Sequence, residues 1–348
     1  MKIVCITESR AEYGVMRELF KKMDKDKFFE LHLIVTGMHL SKRHGHTIDE
    51  IKKDGFKIHI AINPDFIYKK LKHINPDLVI VVGDREPMLK AAVAASYLSI
   101  PIAHISGGDV TTGATIDEKI RHALTKFADI HFPATENSAK NLIKMGENLD
   151  YIFEVGNPGI STYYKSKKIT GSGPLILIIQ HPTNQSNIAG EQMRETMEAI
   201  KYLGYQSIII YPNSDDGSKD MIKVINEYKS LDFIKIYKSI PRDQFINLMA
   251  SASVIIGNSS CALLEAPSFN LPAVNIGDRQ KGRERSDNVV DVSYNRDNII
   301  LAIKIALKMK IKSKNPYAKS NPEDRIIKIL KKVNLRQAQK EKFRRFLR

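Results

Sequence analysis

Short apolar runs and longer amphipathic stretches alternate along the whole chain, and this alternation predicts its elements. In the first half, strand-like runs fall at Ile3–Ile6, Leu31–Val35, Ile58–Ile62, Leu78–Val82, Ile102–Ile105, Ile130–Phe132 and Tyr151–Val155. Helical periodicity fills the intervals at Tyr13–Met23, Pro87–Tyr97, Ile116–Phe127 and Asn137–Met145. Unbroken runs such as Leu78-Val79-Ile80-Val81-Val82 suit parallel strands covered on both faces. Strand–helix alternation then implies right-handed crossovers and a doubly wound sheet. The pattern pauses at the turn-forming Gly156-Asn157-Pro158-Gly159 and the polar stretch Lys165–Gly173. A second series follows at Pro174–Ile179, Ser207–Tyr211, Phe233–Tyr237, Val254–Ile256 and Ala273–Ile276. The expectation is an α/β protein of two Rossmann-like doubly wound domains, over 1–160 and 173–325, facing each other across a cleft at the carboxyl ends of their strands.

Composition removes several function classes. The 348 residues are 43% hydrophobic and 27% charged, which excludes a disordered or collagen-like body. No run approaches the roughly 20 apolar residues of a membrane span. Two cysteines, Cys5 and Cys261, make neither a disulfide framework nor a cysteine-rich zinc site, and no other metal-ligand cluster is visible. With no signal-peptide pattern at the start, a cytoplasmic location is expected. The net charge of +15 points toward nucleic acid until it is located: 16 Lys/Arg against 3 Asp/Glu between Leu301 and Arg348 supply almost all of it. A solvated helix face explains that segment better than nucleic-acid or lipid binding, since no stacking aromatics or reader motif accompany it.

Candidate chemistry sits just after the strands. The first run ends in Thr7-Glu8-Ser9-Arg10-Ala11-Glu12-Tyr13-Gly14, where Arg10 at a strand-to-helix turn suits a diphosphate or is a plain surface residue beside a capped helix. Gly83-Asp84-Arg85-Glu86-Pro87, His104-Ile105-Ser106-Gly107-Gly108-Asp109 and Thr115-Ile116-Asp117-Glu118-Lys119-Ile120-Arg121-His122 place Asp84, Asp109 and Asp117 on one edge of one sheet. Singly, Asp84 is equally a turn former and Asp117 a helix-start carboxylate. Grouped with two histidines and two arginines they can divide acid and base roles, with Arg121 as readily a structural ion-pair partner. In the second half, His181 lies in Gln180-His181-Pro182-Thr183-Asn184 and Asn213 in Tyr211-Pro212-Asn213. Gly257-Asn258-Ser259-Ser260 before a helix suits an anion, and Glu265 further along is either a ribose acceptor or an exposed helix carboxylate. Arg279 and Arg283 lie in the basic loop Gly277–Arg283.

These motifs, in this order over nearly the whole chain, resemble the UDP-N-acetylglucosamine 2-epimerase family, within it the hydrolysing branch that feeds sialic-acid-type sugar synthesis. The resemblance rests on Ser-Arg-Ala-Glu-Tyr-Gly, Gly-Asp-Arg, His-Ile-x-Gly-Gly-Asp, Ile-Asp-x-x-Ile-Arg-His, Tyr-Pro-Asn, Gly-Asn-Ser-Ser and Arg-Gln-x-Gly-Arg. It implies the two-Rossmann (GT-B type) fold, with a basic C-terminal helix over 326–348 crossing back to the first domain. It implies Asp84, Asp109 and Asp117 as catalytic acids and Arg85 as a substrate-side arginine. Arg10, His181, Ser259 and Ser260 would hold the diphosphate, Glu265 the ribose, and Asn213, Arg279 and Arg283 would surround the nucleotide. Relatives usually carry Glu where this chain has Asp109, and some an acid where it has Ser106.

The implied reaction converts UDP-N-acetylglucosamine and water to N-acetylmannosamine and UDP. UDP leaves carbon 1 as a carboxylate removes the carbon 2 proton. A second acid reprotonates the resulting glycal on its other face, and water adds at carbon 1. No metal or other cofactor is expected; a homodimer or homotetramer is, with no nucleic-acid or membrane partner. The alternatives are the same reaction on a UDP-diacetamido-trideoxyhexose, a non-hydrolysing epimerase, a GT-B glycosyltransferase and a non-catalytic UDP-sugar sensor. The non-hydrolysing branch typically has Gly-Thr-Arg-Pro-Glu at the first turn where this chain has Glu-Ser-Arg-Ala-Glu. A glycosyltransferase or a sensor has no use for three grouped acids.

Overall fold

The computed structural model describes residues 1–42, 45–61, 63–111, 116–160, 173–183 and 185–344. The polar stretch expected to link the domains lies largely outside them. By contacts the chain divides into two units, one of Met1–Val110, Ile116–Ser161 and Tyr317–Arg348, the other of Thr111–Thr115 and Thr162–Pro316. The C-terminal segment thus joins the first unit from Tyr317, earlier than the 326 read from the sequence.

The first unit holds strands β1 (Lys2–Thr7), β2 (Glu30–Val35), β3 (Ile58–Ile60), β4 (Leu78–Val82), β5 (Ile102–Ile105) and β6 (Ile130–Phe132). They form one sheet in the order β3-β2-β1-β4-β5-β6, every pairing parallel. Its helices are α1 (Arg10–Lys25), α2 (Ile48–Lys53), α3 (Ile67–Ile74), α4 (Glu86–Tyr97), α5 (Ile116–Phe127) and α6 (Glu136–Lys144). Alternate strand residues enter separate cores. Ile3, Cys5, Leu78 and Ile80 pack with Tyr13, Met16, Leu19 and Phe20 of α1, whereas Val4, Ile6, Val79 and Val81 pack with α3, α4 and α5. That two-sided burial is why the strands read as unbroken Val/Ile runs, each such side chain contributing roughly 1.5–3 kcal/mol.

The second unit repeats the plan. Strands β7 (Leu175–Ile179), β8 (Gln206–Ile210), β9 (Ile234–Tyr237), β10 (Val254–Gly257), β11 (Ala273–Ile276) and β12 (Val289–Val292) form the sheet β12-β11-β10-β7-β8-β9. Its helices are α7 (Ala189–Leu203), α8 (Ser218–Glu227), α9 (Arg242–Ser251), α10 (Cys261–Leu264) and α11 (Arg296–Ala306). In both sheets the chain works outward over three strands, then returns beside the first. Each therefore has a switch point where ligands bind in doubly wound folds, between β1 and β4 and between β7 and β10.

The last helices, α12 (Pro322–Leu330) and α13 (Leu335–Glu341), belong to the first unit, with Ile326, Leu330 and Ala338 in the core under α1. Lys22 pairs with Asp324 at 2.9 Å.

Two sequence readings need correction. Tyr151–Val155 is no strand: it meets β6 only at the bridge His131–Ile152, because Pro133 has no N–H to continue the ladder. The Val289–Val292 strand was not foreseen, since its half-exposed edge position leaves no continuous apolar run.

Candidate active site

At the first switch point, the turns after β1, β4 and β5 meet the start of α5. Arg121, only 2% exposed, organises one half. Its Nε donates to Asp84 Oδ2 at 3.1 Å and its Nη2 to the same oxygen. Its Nη1 donates to Glu118 Oε2 at 2.5 Å and to the Asp109 carbonyl at 3.2 Å. Burial works against its charge, but Asp84, Asp109 and Glu118 more than compensate and raise its pKa. Of the two roles left open for Arg121, the structure shows the ion-pair partner. Glu118 also pairs with His122 at 2.7 Å.

Arg85 organises the other half. Its Nε lies 3.5 Å from Glu8 Oε1 and its Nη1 3.5 Å from Asp117 Oδ1, both long contacts. Asp84 and Asp117 are thus sorted onto different arginines. Asp109 is buried, and its Oδ1 accepts from Ser138 of α6 at 2.5 Å. The chain comes close to α6 because of Gly108, whose φ is +85° and where a Cβ would lie 2.2 Å from the Ser138 carbonyl. Ser106, at the end of β5, takes φ +63°, a strained value for a residue with a Cβ and one that tends to mark functional sites. The wholly buried His104 bonds the Gly83 carbonyl at 2.8 Å and so holds the turn that carries Asp84. Burial pushes its imidazole down to about 4 and keeps it neutral.

Three acids here escaped the sequence reading: Glu118, paired with Arg121, and two that stand in its first motif. Glu8 faces Arg85. Glu12 turns back from the first turn of α1 so that its Oε2 accepts the Glu8 N–H at 3.0 Å. Its Oε1 is enclosed without a hydrogen-bond partner, although the residue keeps some exposed surface. Burial, with Glu8 beside it, pushes this carboxyl up to about 8. In sequence Glu12 is indistinguishable from an ordinary helix-capping acid. Arg10 opens α1, and its charge is felt at His39 and Glu50.

At the second switch point the hub is Asn258, fully buried and noted in sequence only as part of a motif. Its side chain accepts the His181 N–H at 2.7 Å and donates to the His181 carbonyl at 2.8 Å. Its own carbonyl accepts from Gln280 at 2.9 Å and Arg279 Nη1 at 3.4 Å. The Asn213 N–H donates to His181 Nδ1 at 3.1 Å, leaving Nε2 as the ring nitrogen that carries hydrogen. Asn258 thereby ties the turns after β7, β8 and β11 together. Arg283 closes the last of them, its N–H bonded to the Gln280 carbonyl at 3.2 Å. Gly257 has φ +123°, and a Cβ there would lie 2.1 Å from the Ile179 carbonyl.

The helix expected behind Ser259 and Ser260 is a single turn, α10, so any anion here would rely on local N–H groups and hydroxyls rather than on a long helix dipole. Ser259 is buried and accepts from the Cys261 thiol at 3.2 Å. Glu265 lies where α10 passes into a 3₁₀ turn, Ala266–Phe269, not along a continuing helix. It is buried, not an exposed carboxylate, and Arg242 Nη1 approaches its Oε2 at 2.5 Å. That contact is a close ion pair without hydrogen-bond alignment. Arg242, at the start of α9, was missed although it stands at the same kind of strand-to-helix turn as Arg10.

Among the described residues no cluster of three or more His, Cys, Asp or Glu side chains is arranged to hold a metal, and no helix is long and apolar enough to cross a membrane.

Comparison with known proteins gives the family and the fold. A family model described as UDP-N-acetylglucosamine 2-epimerase matches residues 65–331. The chain is 38% identical to a protein of Legionella pneumophila named UDP-N,N'-diacetylbacillosamine 2-epimerase (hydrolyzing), over 96% of each chain. It is 30% identical to a UDP-N-acetylglucosamine 2-epimerase of Neisseria meningitidis, over 88% of this chain and 87% of that one. A crystal structure of a UDP-GlcNAc 2-epimerase from Neisseria meningitidis bound to UDP-GlcNAc superposes with a TM-score of 0.79 at 20% identity, over 96% of this chain and 100% of that one. At that identity the likeness speaks for the fold alone, which is α/β of the GT-B type. The family model covers most of the chain and the Legionella relative nearly all of it, and on that ground the chain belongs to the UDP-N-acetylglucosamine 2-epimerase family.

Proposed function

We propose that this protein is a hydrolysing 2-epimerase that converts a UDP-linked 2-acetamido sugar and water into the free 2-epimeric sugar and UDP. The observation that carries the reading is the sorting of Asp84 and Asp117 onto separate arginines at the first switch point, with Asp109 beside them. Epimerisation at carbon 2 needs one carboxylate to take a proton and another acid to return it on the opposite face. Acids held by different partners can keep different protonation states.

In this reading Arg85 faces the sugar. Arg10, His181, Ser259 and Ser260 receive the charge of the departing diphosphate, which weakens the bond at carbon 1 while the carbon 2 proton leaves. Glu265, steadied by Arg242, accepts the ribose hydroxyls, and Asn213, Arg279 and Arg283 surround the rest of the nucleotide. Departure of UDP leaves a glycal, which is reprotonated at carbon 2 and hydrated at carbon 1.

Two sugars fit this class. UDP-N-acetylglucosamine would give N-acetylmannosamine. UDP-N,N'-diacetylbacillosamine would give the corresponding diacetamido sugar with the manno configuration. The 38% identity to the Legionella protein named for the second substrate, against 30% to the Neisseria protein named for the first, favours the second.

The test is incubation with each UDP-sugar in deuterated, oxygen-18 water. The expected product is a free sugar carrying deuterium at carbon 2 and the heavy oxygen at carbon 1. Release of an epimerised but still UDP-linked sugar would point to the non-hydrolysing reaction, and full retention of the original carbon 2 proton would refute epimerisation.

A further inference from the structure

Glu12 takes no part in the proton transfers just described, yet it stands among the groups that do. Its Oε2 accepts the Glu8 N–H at 3.0 Å, and its Oε1 is sealed from solvent with no hydrogen-bond partner. A carboxylate held so would leave a full charge buried and half-solvated, whereas a neutral carboxyl leaves one weak polar atom unmatched. Among the described residues, the charged groups that act on it most are Glu8 after β1, and Asp84 and Arg85 after β4. Two of these three are acids, and the cation among them, Arg85, stands 3.5 Å from both Glu8 and Asp117.

We propose that Glu12 is a positioning residue: kept neutral, it leaves Arg85 shared between Glu8 and Asp117, and its ionisation draws Arg85 away from Asp117 and disables the acid cluster. The inference rests on the function proposed above. Its physical basis is competition. A second carboxylate beside Glu8 would attract Arg85, whose charge already acts on Glu12, and the long contact to Asp117 is the one such a pull weakens. The rise of the Glu12 carboxyl to about 8 places this change just above neutrality.

The test is the pH dependence of kcat and KM for the wild type, Glu12→Gln and Glu12→Ala. The wild type should lose kcat by about tenfold per pH unit above pH 8, as expected when one essential proton is lost. Gln keeps an acceptor for the Glu8 N–H and cannot ionise, so its alkaline fall should vanish or move up by more than about one pH unit. Ala cannot ionise either but leaves the Glu8 N–H without its acceptor, so it should also lack the alkaline fall yet be slower than Gln at every pH. An alkaline fall in Glu12→Gln matching the wild type, or a Gln variant no faster than Ala, would overturn the proposal.

A second measurement needs no substrate. The infrared carbonyl band of a protonated carboxyl should disappear from the wild type between pH 7 and about pH 9.5, a range in which an ordinary carboxyl is fully ionised. Asp129, raised to about 6 by burial, is largely ionised by pH 7, and Glu50, also raised by burial, is told apart because only the Glu12 band is missing from Glu12→Gln. No band lost there overturns the proposal even if Glu12→Gln does not fold. Failure to turn over either UDP-sugar at any pH would count against the proposed function instead, with the carboxyl band still deciding the state of Glu12.

Discussion

Lys342 is the point at which the basic C-terminal segment is anchored, and replacing it with Met tests that anchoring. Its side chain is 5% exposed, and all three ammonium protons are used. One goes to Glu147 Oε2 at 2.5 Å, one to the Thr125 carbonyl at 3.1 Å and one to the Ala128 carbonyl. Burial holds the ammonium below the usual lysine range, against the pull of Glu147 and Asp129. Burial would raise Glu147 too, yet His131, Lys342 and Lys126 together bring it down to about 2. Breaking a buried pair by removing one partner costs about 3–5 kcal/mol. Glu147 would keep His131 at 3.1 Å and Lys126 at 2.7 Å, which favours the lower end. The two carbonyls that lose their donor add about 1 kcal/mol each, part of which the Met side chain returns by packing where the lysine stem lay. The expected loss is about 3–4 kcal/mol. Urea unfolding of the full chain measures it on the transition of the unit that contains both residues, and trypsin should remove the tail faster in the variant. The double variant with Glu147→Gln should be less destabilised than the sum of the two singles by about 2 kcal/mol. A loss under about 1 kcal/mol, or strict additivity, would mean that Lys342 is only another solvated charge.

Asp84→Asn and Asp117→Asn should each lower turnover by about 10²–10⁴-fold with little change in UDP affinity by calorimetry, whereas Glu265→Gln should weaken UDP binding by about 1.5–3 kcal/mol. Asp84→Asn should also lower stability, because Arg121 is buried against that carboxylate; proportional loss of UDP binding in the Asp variants would argue against proton chemistry. On acidification, His104 and His39, held down to about 4 and about 3 mainly by burial, are neutral in the fold, so stability is lost as pH falls below the ordinary histidine value of 6.5. Between that value and pH 4.5, Glu12 and Asp129 offset this loss, since their raised carboxyls hold protons in the fold that the unfolded chain releases. Below 4.5 the Glu12 offset ends, that of Asp129 follows at 3.8, and Glu147 begins its own loss toward about 2, so urea midpoints should fall most steeply there; a steep fall above pH 5 with a plateau beneath it would contradict the assignment. Gly257→Ala should destabilise the second unit by about 2–4 kcal/mol, read by thermal unfolding, because its Cβ would meet the Ile179 carbonyl at a left-handed φ; a midpoint like the wild type's would refute that contact.

Local patterning was enough to place most strands and the polar turns behind them. A parallel strand covered on both faces must be apolar at every position, and that demand is written into Leu78–Val82 and Leu175–Ile179 without reference to any distant residue. The same patterning put Asp84, Asp109 and Asp117 at the carboxyl edge of one sheet, and His181, Asn213 and Ser259 at that of another. It could not say how charges so gathered pair off. That Arg121 takes Asp84 while Arg85 takes Asp117, or that Arg242 meets Glu265, depends on turns brought together by strand order, and the partners are far apart in sequence. Nor could it distinguish Glu12 from a solvated capping acid, or Lys342 from the other cations of the basic segment. A side chain's charge state is set by the solvent it loses and the charges it meets, and both are properties of the assembled fold. Strand propensity belongs to a few consecutive residues, whereas the free energy of a buried charge belongs to everything packed around it.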